Sequence, residues 1–206
     1  FDVSSVLAPD PGDGLLPVCD DATRTALEDT VPAADILVGV GSGVISDLTK
    51  WVAGDRGLPY VMLATAASMN GYASANVAPA IDGVKTLVRA DGPRAVLTAL
   101  PILADAPGAM TEAGLGDVIA KPASSADWRL NHLLFGEYYC QFCVDLIRDI
   151  EPRYLESPAG IRDRTPETLE ALFEALIFTG IAMTIAGTSS PASGGEHLVS
   201  HTLDMM

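Results

Sequence analysis

Two of the three histidines in this chain, His197 and His201, stand four positions apart in the run Gly194-Gly195-Glu196-His197-Leu198-Val199-Ser200-His201. On a helix that spacing sets both imidazoles on one face, one turn apart, where they can converge on a single metal or substrate. A solvated helix face can carry the same pair, so both readings stand. A second candidate is Gly39-Val40-Gly41-Ser42-Gly43. Glycines between a strand and a helix let a pyrophosphate approach the N–H groups that open the helix. The string departs from GxGxxG, with Val44 or Ser46 at the third place and no acidic residue closing the next strand. A phosphate cradle and a plain tight turn are therefore both open. The small and hydroxylated run at residues 65–74 lies where α/β sheets bind ligands, or is a Ser/Asn-rich turn. Cys140-Gln141-Phe142-Cys143 lacks the second pair of a zinc ribbon and the preceding strand of a redox motif. Inside a helical run, its thiols read as buried small hydrophobes, and Trp51 and Trp128 as packing residues.

These residues need a scaffold, and the pattern supplies one. Residues 1–34, with Pro9, Pro11, Gly12, Gly14, Pro17 and Pro32, read as loop around one helix at 23–29. Residues 35–40 form a short β-branched run ended by glycines, expected as a buried strand. Ile45, Leu48, Trp51 and Val52 then recur at helical spacing, and Pro59 introduces the apolar run YVMLAT. Strand, glycine turn, helix and strand make a βαβ unit. Further short strands are expected at 77–81, 85–88 and 94–97, with a hairpin turn at Asp82-Gly83. From about residue 107 the period becomes helical, with helices expected at 109–120, 126–150, 166–186 and 195–206 and loops at 152–165 and 189–194. One boundary falls near residue 105.

Composition narrows the function class. A length of 206 residues is about 1.4 typical domains, and 49% hydrophobic against 19% charged residues excludes a disordered chain. Mean hydropathy is +0.29. Twelve basic against 27 acidic residues give a net charge of −15, which repels nucleic acid and anionic membrane surfaces. A bound phosphorylated molecule must be held by backbone N–H groups, a helix dipole or a metal. Cys19, Cys140 and Cys143 are too few for a disulfide framework and favour a reducing, cytoplasmic setting. The most apolar stretch, residues 175–187, is shorter than the ~20 residues of a spanning helix, so a buried helix and no membrane span are expected. The sequence opens on Phe1, shows no signal peptide, and is expected to lack part of its natural front.

Four strings in order, VGVGSGVISDLTK, ATAASMNGYASA, AGLGDVIAKPASSADW and GTSSPASGGEHLVSH, resemble the sn-glycerol-1-phosphate dehydrogenase family. That family lies in the superfamily of iron-containing alcohol dehydrogenases, glycerol dehydrogenase and 3-dehydroquinate synthase. The resemblance runs from about residue 35 to 206. It implies an α/β N-terminal dinucleotide-binding domain (1–105) followed by an all-helical metal-binding domain (106–206), a dehydroquinate synthase-like arrangement. It further implies a cytoplasmic homo-oligomer that reduces dihydroxyacetone phosphate with NAD(P)H for phospholipid biosynthesis. Other metal-dependent polyol or alcohol dehydrogenases, a dehydroquinate-synthase-type cyclase, and a non-catalytic homologue are the alternatives.

Carried over position by position, the resemblance assigns cofactor contacts to Gly41, Gly43, Val44, Ile45, Ser46, Asp47, Thr65, Ala66, Ala67, Ser68 and Ser74. Asn70, Asp117 and His201 fall on substrate contacts, and Asp117 and His197 on metal ligands. The metal is expected to be Zn²⁺, with Ni²⁺ or Fe²⁺ also suited to carboxylate and imidazole donors. His201 is the expected proton donor to the developing alkoxide. Asn70 replaces the Asp usual in the family, exchanging a pure acceptor for a group with two donors. The family's third metal ligand comes from a later His-Gly segment and its adenine-ribose acid from an earlier strand. Neither is found in this sequence, which is expected to be a piece of a longer enzyme.

Overall fold

A computed structural model of the chain describes residues 2–10, 12 and 16–204. Pro11 and Gly14 of the expected N-terminal loop, Phe1, and Met206 at the close of the expected last helix lie outside the described residues.

Helix α1 (Asp21–Thr30) starts where the Asp20 carboxylate accepts the Thr23 N–H at 2.7 Å, which satisfies one of the orphan donors at a helix start. Strand β1 (Leu37–Gly41), helix α2 (Gly43–Arg56) and strand β2 (Tyr60–Ala64) form the expected βαβ unit, with Leu37 opposite Tyr60 and Gly41 opposite Ala64 in parallel register. Residues 76–89 fold as two small antiparallel pairs. Strand β3 (Asn76–Val77) pairs with β6 (Val88–Arg89), and β4 (Ala80–Ile81) with β5 (Val84–Lys85). Strand β7 (Ala95–Leu97) then pairs parallel with β2, giving a sheet of order β1-β2-β7.

Two expectations about this half need correction, and one holds. The β1 strand is not buried on both faces, for Val38 and Val40 are 60% and 57% exposed. Its single described neighbour is β2, and α2 covers one face only. The strand expected at 77–81 is split, because Pro79 has no N–H to give a ladder; its carbonyl instead accepts the Thr86 N–H at 2.9 Å. The hairpin turn holds, with Asp82 and Gly83 at φ 51° and 76°, the left-handed region such a turn needs.

After β7 every regular element among the described residues is a helix. They are α3 (Leu100–Asp105), α4 (Gly108–Ile119), α5 (Lys121–Phe135), α6 (Gln141–Arg148), α7 (Glu151–Leu155), α8 (Pro158–Asp163), α9 (Pro166–Ala186) and α10 (Gly195–Asp204). The single helix expected at 126–150 is two, since Gly136 at φ 69° closes α5 and the chain runs extended to Cys140. The Cys pair therefore does not lie inside a helix; Cys140 is the N-cap of α6. The loop expected at 152–165 contains α7 and α8, each opened by a proline in its first turn, where a missing N–H costs nothing. Helix α9 matches its expected bounds. It is long and apolar enough to cross a membrane by length and composition. Here it is the core helix, with Leu169, Leu172, Leu176 and Ala182 fully buried.

One apolar cluster joins β2 and the loop after it to the helices that follow. Met62, Ala64, Ala67 and Tyr72 from β2 and the loop after it pack with Leu103, Val118, Tyr154, Leu169, Leu172 and Leu176. Each fully buried leucine contributes about 2 kcal/mol relative to exposure. The approach is close: a Cβ on Gly180 of α9 would lie 2.4 Å from the Asn70 carbonyl oxygen, and one on Gly114 of α4 would lie 2.0 Å from that of Ala67. This packing fixes the loop after β2 against α4 and α9.

Candidate active site

Asp117, near the end of α4, and His197, in the first turn of α10, are eighty positions apart in sequence. In the fold, Asp117 Oδ1 and His197 Nε2 face each other across 3.7 Å. The carboxylate is held from three sides. Asn70 donates its backbone N–H to Oδ2 at 2.7 Å and its side-chain amide to Oδ1 at 3.2 Å. The buried Lys121 ammonium donates to Oδ1 at 2.5 Å and to the Ala192 carbonyl at 2.8 Å. The same lysine therefore ties α4 to the loop that delivers His197.

On its other ring nitrogen, His197 Nδ1 shares a hydrogen bond with Glu196 Oε1 at 2.9 Å. That oxygen also accepts the Ser124 hydroxyl and, at 3.2 Å, the Gly194 N–H. Burial alone would raise the Glu196 pKa, but the Ser124, His197 and backbone donors outweigh it and hold the carboxyl at about 2. A carboxylate on the far nitrogen fixes the imidazole's orientation and leaves Nε2 aimed at Asp117. His201 lies one turn further along α10, its ring centroid 6.0 Å from that of His197. Among the described residues no three His, Cys, Asp or Glu side chains gather closely enough to complete a metal site. The pair that does converge, one carboxylate oxygen and one imidazole nitrogen, is the donor chemistry of Zn²⁺ and its neighbours.

A cleft of about 570 Å³ opens between the N-terminus of α2 and the α3–α4 segment, lined by Ser42, Thr65, Ile102, Asp105 and Met110 among others. That size suits a small organic ligand. Ser42 is the N-cap of α2 and makes no side-chain cap bond, so the helix presents its first N–H groups and dipole to the cleft. The glycines beside it have packing duties as well. A Cβ on Gly41 would strike the Ile45 side chain at 2.6 Å, and one on Gly39 would meet Thr49 Oγ1 at 2.4 Å.

Of the expected cofactor residues, Thr65 lines the cleft, while Gly41, Gly43, Val44 and Ile45 surround the start of α2. Ser46, Ala66 and Ala67 are buried beneath it, and Ser68 shares a hydrogen bond with the Tyr72 hydroxyl at 3.1 Å. Asp47 and Ser74 serve a buried lysine. Lys50 donates to the Gly71 and Asn76 carbonyls at 2.7 and 2.8 Å and to Ser74 Oγ at 3.3 Å, with Asp47 Oδ1 at 3.8 Å. Burial lowers the Lys50 pKa and raises that of Asp47. This cage clamps the turn at Asn70–Ala73 that carries Asn70 to Asp117.

A family model described as iron-containing alcohol dehydrogenase matches residues 18–107. The chain is 34% identical over 202 residues to the glycerol-1-phosphate dehydrogenase [NAD(P)+] of Bacillus velezensis, covering 98% of this chain and 51% of that protein. It is 39% identical over 169 residues to the enzyme of the same name from Pyrococcus furiosus, covering 82% and 49%. Over most of its length the chain is similar to glycerol-1-phosphate dehydrogenases. It spans about half the length of the curated relatives it matches. Glycerol dehydrogenase of Schizosaccharomyces pombe superposes with a TM-score of 0.72 at 18% identity, over 89% of this chain and 48% of that one. An iron-containing alcohol dehydrogenase of Thermotoga maritima gives 0.63 at 17%, over 81% and 50%. The fold is thus that of the iron-containing alcohol and glycerol dehydrogenases.

The residues that sequence reading missed are the supports. Lys121, Ser124 and Asp127 face α10 from α5; the Asp127 carboxylate accepts the Gly195 N–H at 2.8 Å. Lys121, four positions after Asp117, carried a readable signal, because such a spacing brings opposite charges together. Nothing local marked Ser124 or Glu196 as partners across 72 positions.

Proposed function

We propose that this protein carries out the metal-dependent, NAD(P)-linked reduction of dihydroxyacetone phosphate to sn-glycerol 1-phosphate. The observation that supports it most is the meeting of Asp117 and His197, eighty positions apart in sequence, across 3.7 Å. On this reading the nicotinamide cofactor lies along residues 41–47 and 65–68, in an α/β half at 1–105. An all-helical half at 106–206 contributes the metal ligands. Asn70, Asp117 and His201 face the substrate. The setting is a cytoplasmic homo-oligomer.

When bound, a divalent metal supplies Lewis-acid polarisation of the carbonyl and a reduced nicotinamide supplies the hydride. Asp117 and His197 are the two side chains that would hold the metal, and Glu196 keeps the His197 ring turned toward it. Lys121 and Asn70 fix the carboxylate so that little reorganisation is needed. The N–H groups opening α2 hold phosphate oxygens that the acidic surface would otherwise repel. The His201 imidazole, one turn beyond His197, passes a proton to the substrate oxygen as it becomes an alcohol.

The test joins metal analysis to turnover. Purified protein should carry near-stoichiometric Zn²⁺ or Ni²⁺ that is lost on His197→Ala. It should consume NADH or NADPH when dihydroxyacetone phosphate is added. Metal content that does not depend on His197 would remove the basis of the proposal.

A further inference from the structure

The cysteine pair has no part in that chemistry, and its placement differs from what its sequence suggests. Helix α6 starts immediately after Cys140, which takes the N-cap position with φ −125° and ψ 106°. Cys143 is the third residue of the helix, so the two thiols share its first turn. Their surroundings differ sharply. Cys143 is fully buried in a cluster with Trp128, Ile147 and Ala182. Cys140 sits at the edge of that cluster and is only partly buried. The i, i+3 spacing across the opening of α6 sets the two side chains on one face, one turn apart.

We propose that Cys140 and Cys143 form a reversible dithiol–disulfide site that exchanges with low-molecular-weight disulfides. Cys140 is the attacking thiol and Cys143 the resolving one. The two residues share the first turn of α6, so closing the bond draws on local backbone and requires no movement of a distant segment. The roles follow from access. An outside disulfide can reach the partly exposed sulfur and not the one enclosed beside Trp128.

The electrostatics support this division. The Cys143 N–H, foremost, together with the Cys143 and Tyr138 side chains, lowers the Cys140 pKa, while burial pushes Cys143 up to about 11. A lowered thiol at a helix start is the nucleophile in such pairs. The exchange balances in two steps. The Cys140 thiolate attacks one sulfur of the small disulfide, forming a mixed disulfide and releasing the first small thiolate. Cys143 then gives its proton to solvent, attacks Cys140 Sγ, and expels the second. Two protein thiols are oxidised and one small disulfide is reduced to two thiols.

The experiment counts thiols. After equilibration with oxidised glutathione and denaturation, alkylatable cysteines should fall from three to one, the survivor being Cys19. Burial pushes that thiol up to about 12 and makes it unreactive in the folded protein. No Lys or Arg lies between Arg129 and Arg148, so one tryptic peptide carries both oxidised cysteines as an internal disulfide. Dithiothreitol should restore all three. Cys143→Ser should trap glutathione on Cys140, and Cys140→Ser should prevent oxidation. Emission from Trp128, whose indole N–H donates to the Tyr138 carbonyl at 2.7 Å, should change on oxidation of the native chain and not of Cys140→Ser. Three free thiols after treatment, or a glutathione adduct that persists on Cys140 in the unsubstituted protein, would overturn the assignment. Both readouts come from the unsubstituted chain, so a variant that fails to fold does not protect the idea.

Discussion

The Lys121 ammonium lies 2.5 Å from Asp117 Oδ1, the same oxygen that faces His197 Nε2 across 3.7 Å. A fixed positive charge thus already stands at the carboxylate, and it stands there almost completely enclosed, with Lys121 1% exposed. Removing one member of such a pair strands the other.

Lys121→Met deletes the bonds to both Asp117 and the Ala192 carbonyl. For a buried pair the loss is about 3 kcal/mol, which in a chain of this size lowers the melting temperature by roughly 6–12 °C. Differential scanning fluorimetry in the presence of a chelator checks it. A melting temperature within a degree or so of the parent's would mean the ammonium does not hold the site together.

Asn70→Asp replaces the amide that donates to Asp117 Oδ1 with a second anion. Without metal the variant should lose about 1–3 kcal/mol, since one hydrogen bond goes and two carboxylates face each other. Added Zn²⁺ should then raise its melting temperature by more than it raises the parent's. Equal metal-induced shifts in the two proteins would contradict this.

Two glycines of α4 should respond oppositely to alanine. At Gly114 a Cβ would sit 2.0 Å from the Ala67 carbonyl oxygen, a backbone atom that cannot turn aside, so Gly114→Ala should cost about 3 kcal/mol. At Gly116 nothing lies within 4 Å, and Gly116→Ala should gain about 0.5–1 kcal/mol from helix propensity. Urea denaturation measures both on the same scale.

The Glu196 carboxyl is held at about 2 against a reference of 4.5. A lowered acid contributes stability that is complete above the reference value and lost as pH falls through the folded one. Stability should therefore drop between pH 4.5 and about 2 more steeply in the parent than in Glu196→Gln. Urea midpoints taken along that interval give the comparison; parallel curves would show that Glu196 is not paired in solution.

The parts of the fold that were legible in the sequence are those with strong local period or punctuation. The βαβ unit, α4, α9 and the Asp82-Gly83 turn all follow from hydrophobic spacing or left-handed backbone demands. Gly136 was as visible as any of these, yet the apolar run EYYCQFCVDLI outweighed it, and the break that puts Cys140 at a helix start was missed. Helices α7 and α8 were hidden because Pro152 and Pro158 read as loop markers, whereas each opens a helix. At the site, Asp117 and His197 were identified through resemblance. The lysine, serine and glutamate that orient them bond across distances that no local pattern encodes.

Helix α9 has a temporal implication. Its leucines close a cluster whose other members include Met62 and Tyr72, made some hundred residues earlier. A nascent chain still short of residue 166 would leave the underside of its sheet open to solvent and to other chains. Protection from aggregation during synthesis would then depend on how soon that one segment clears the ribosome.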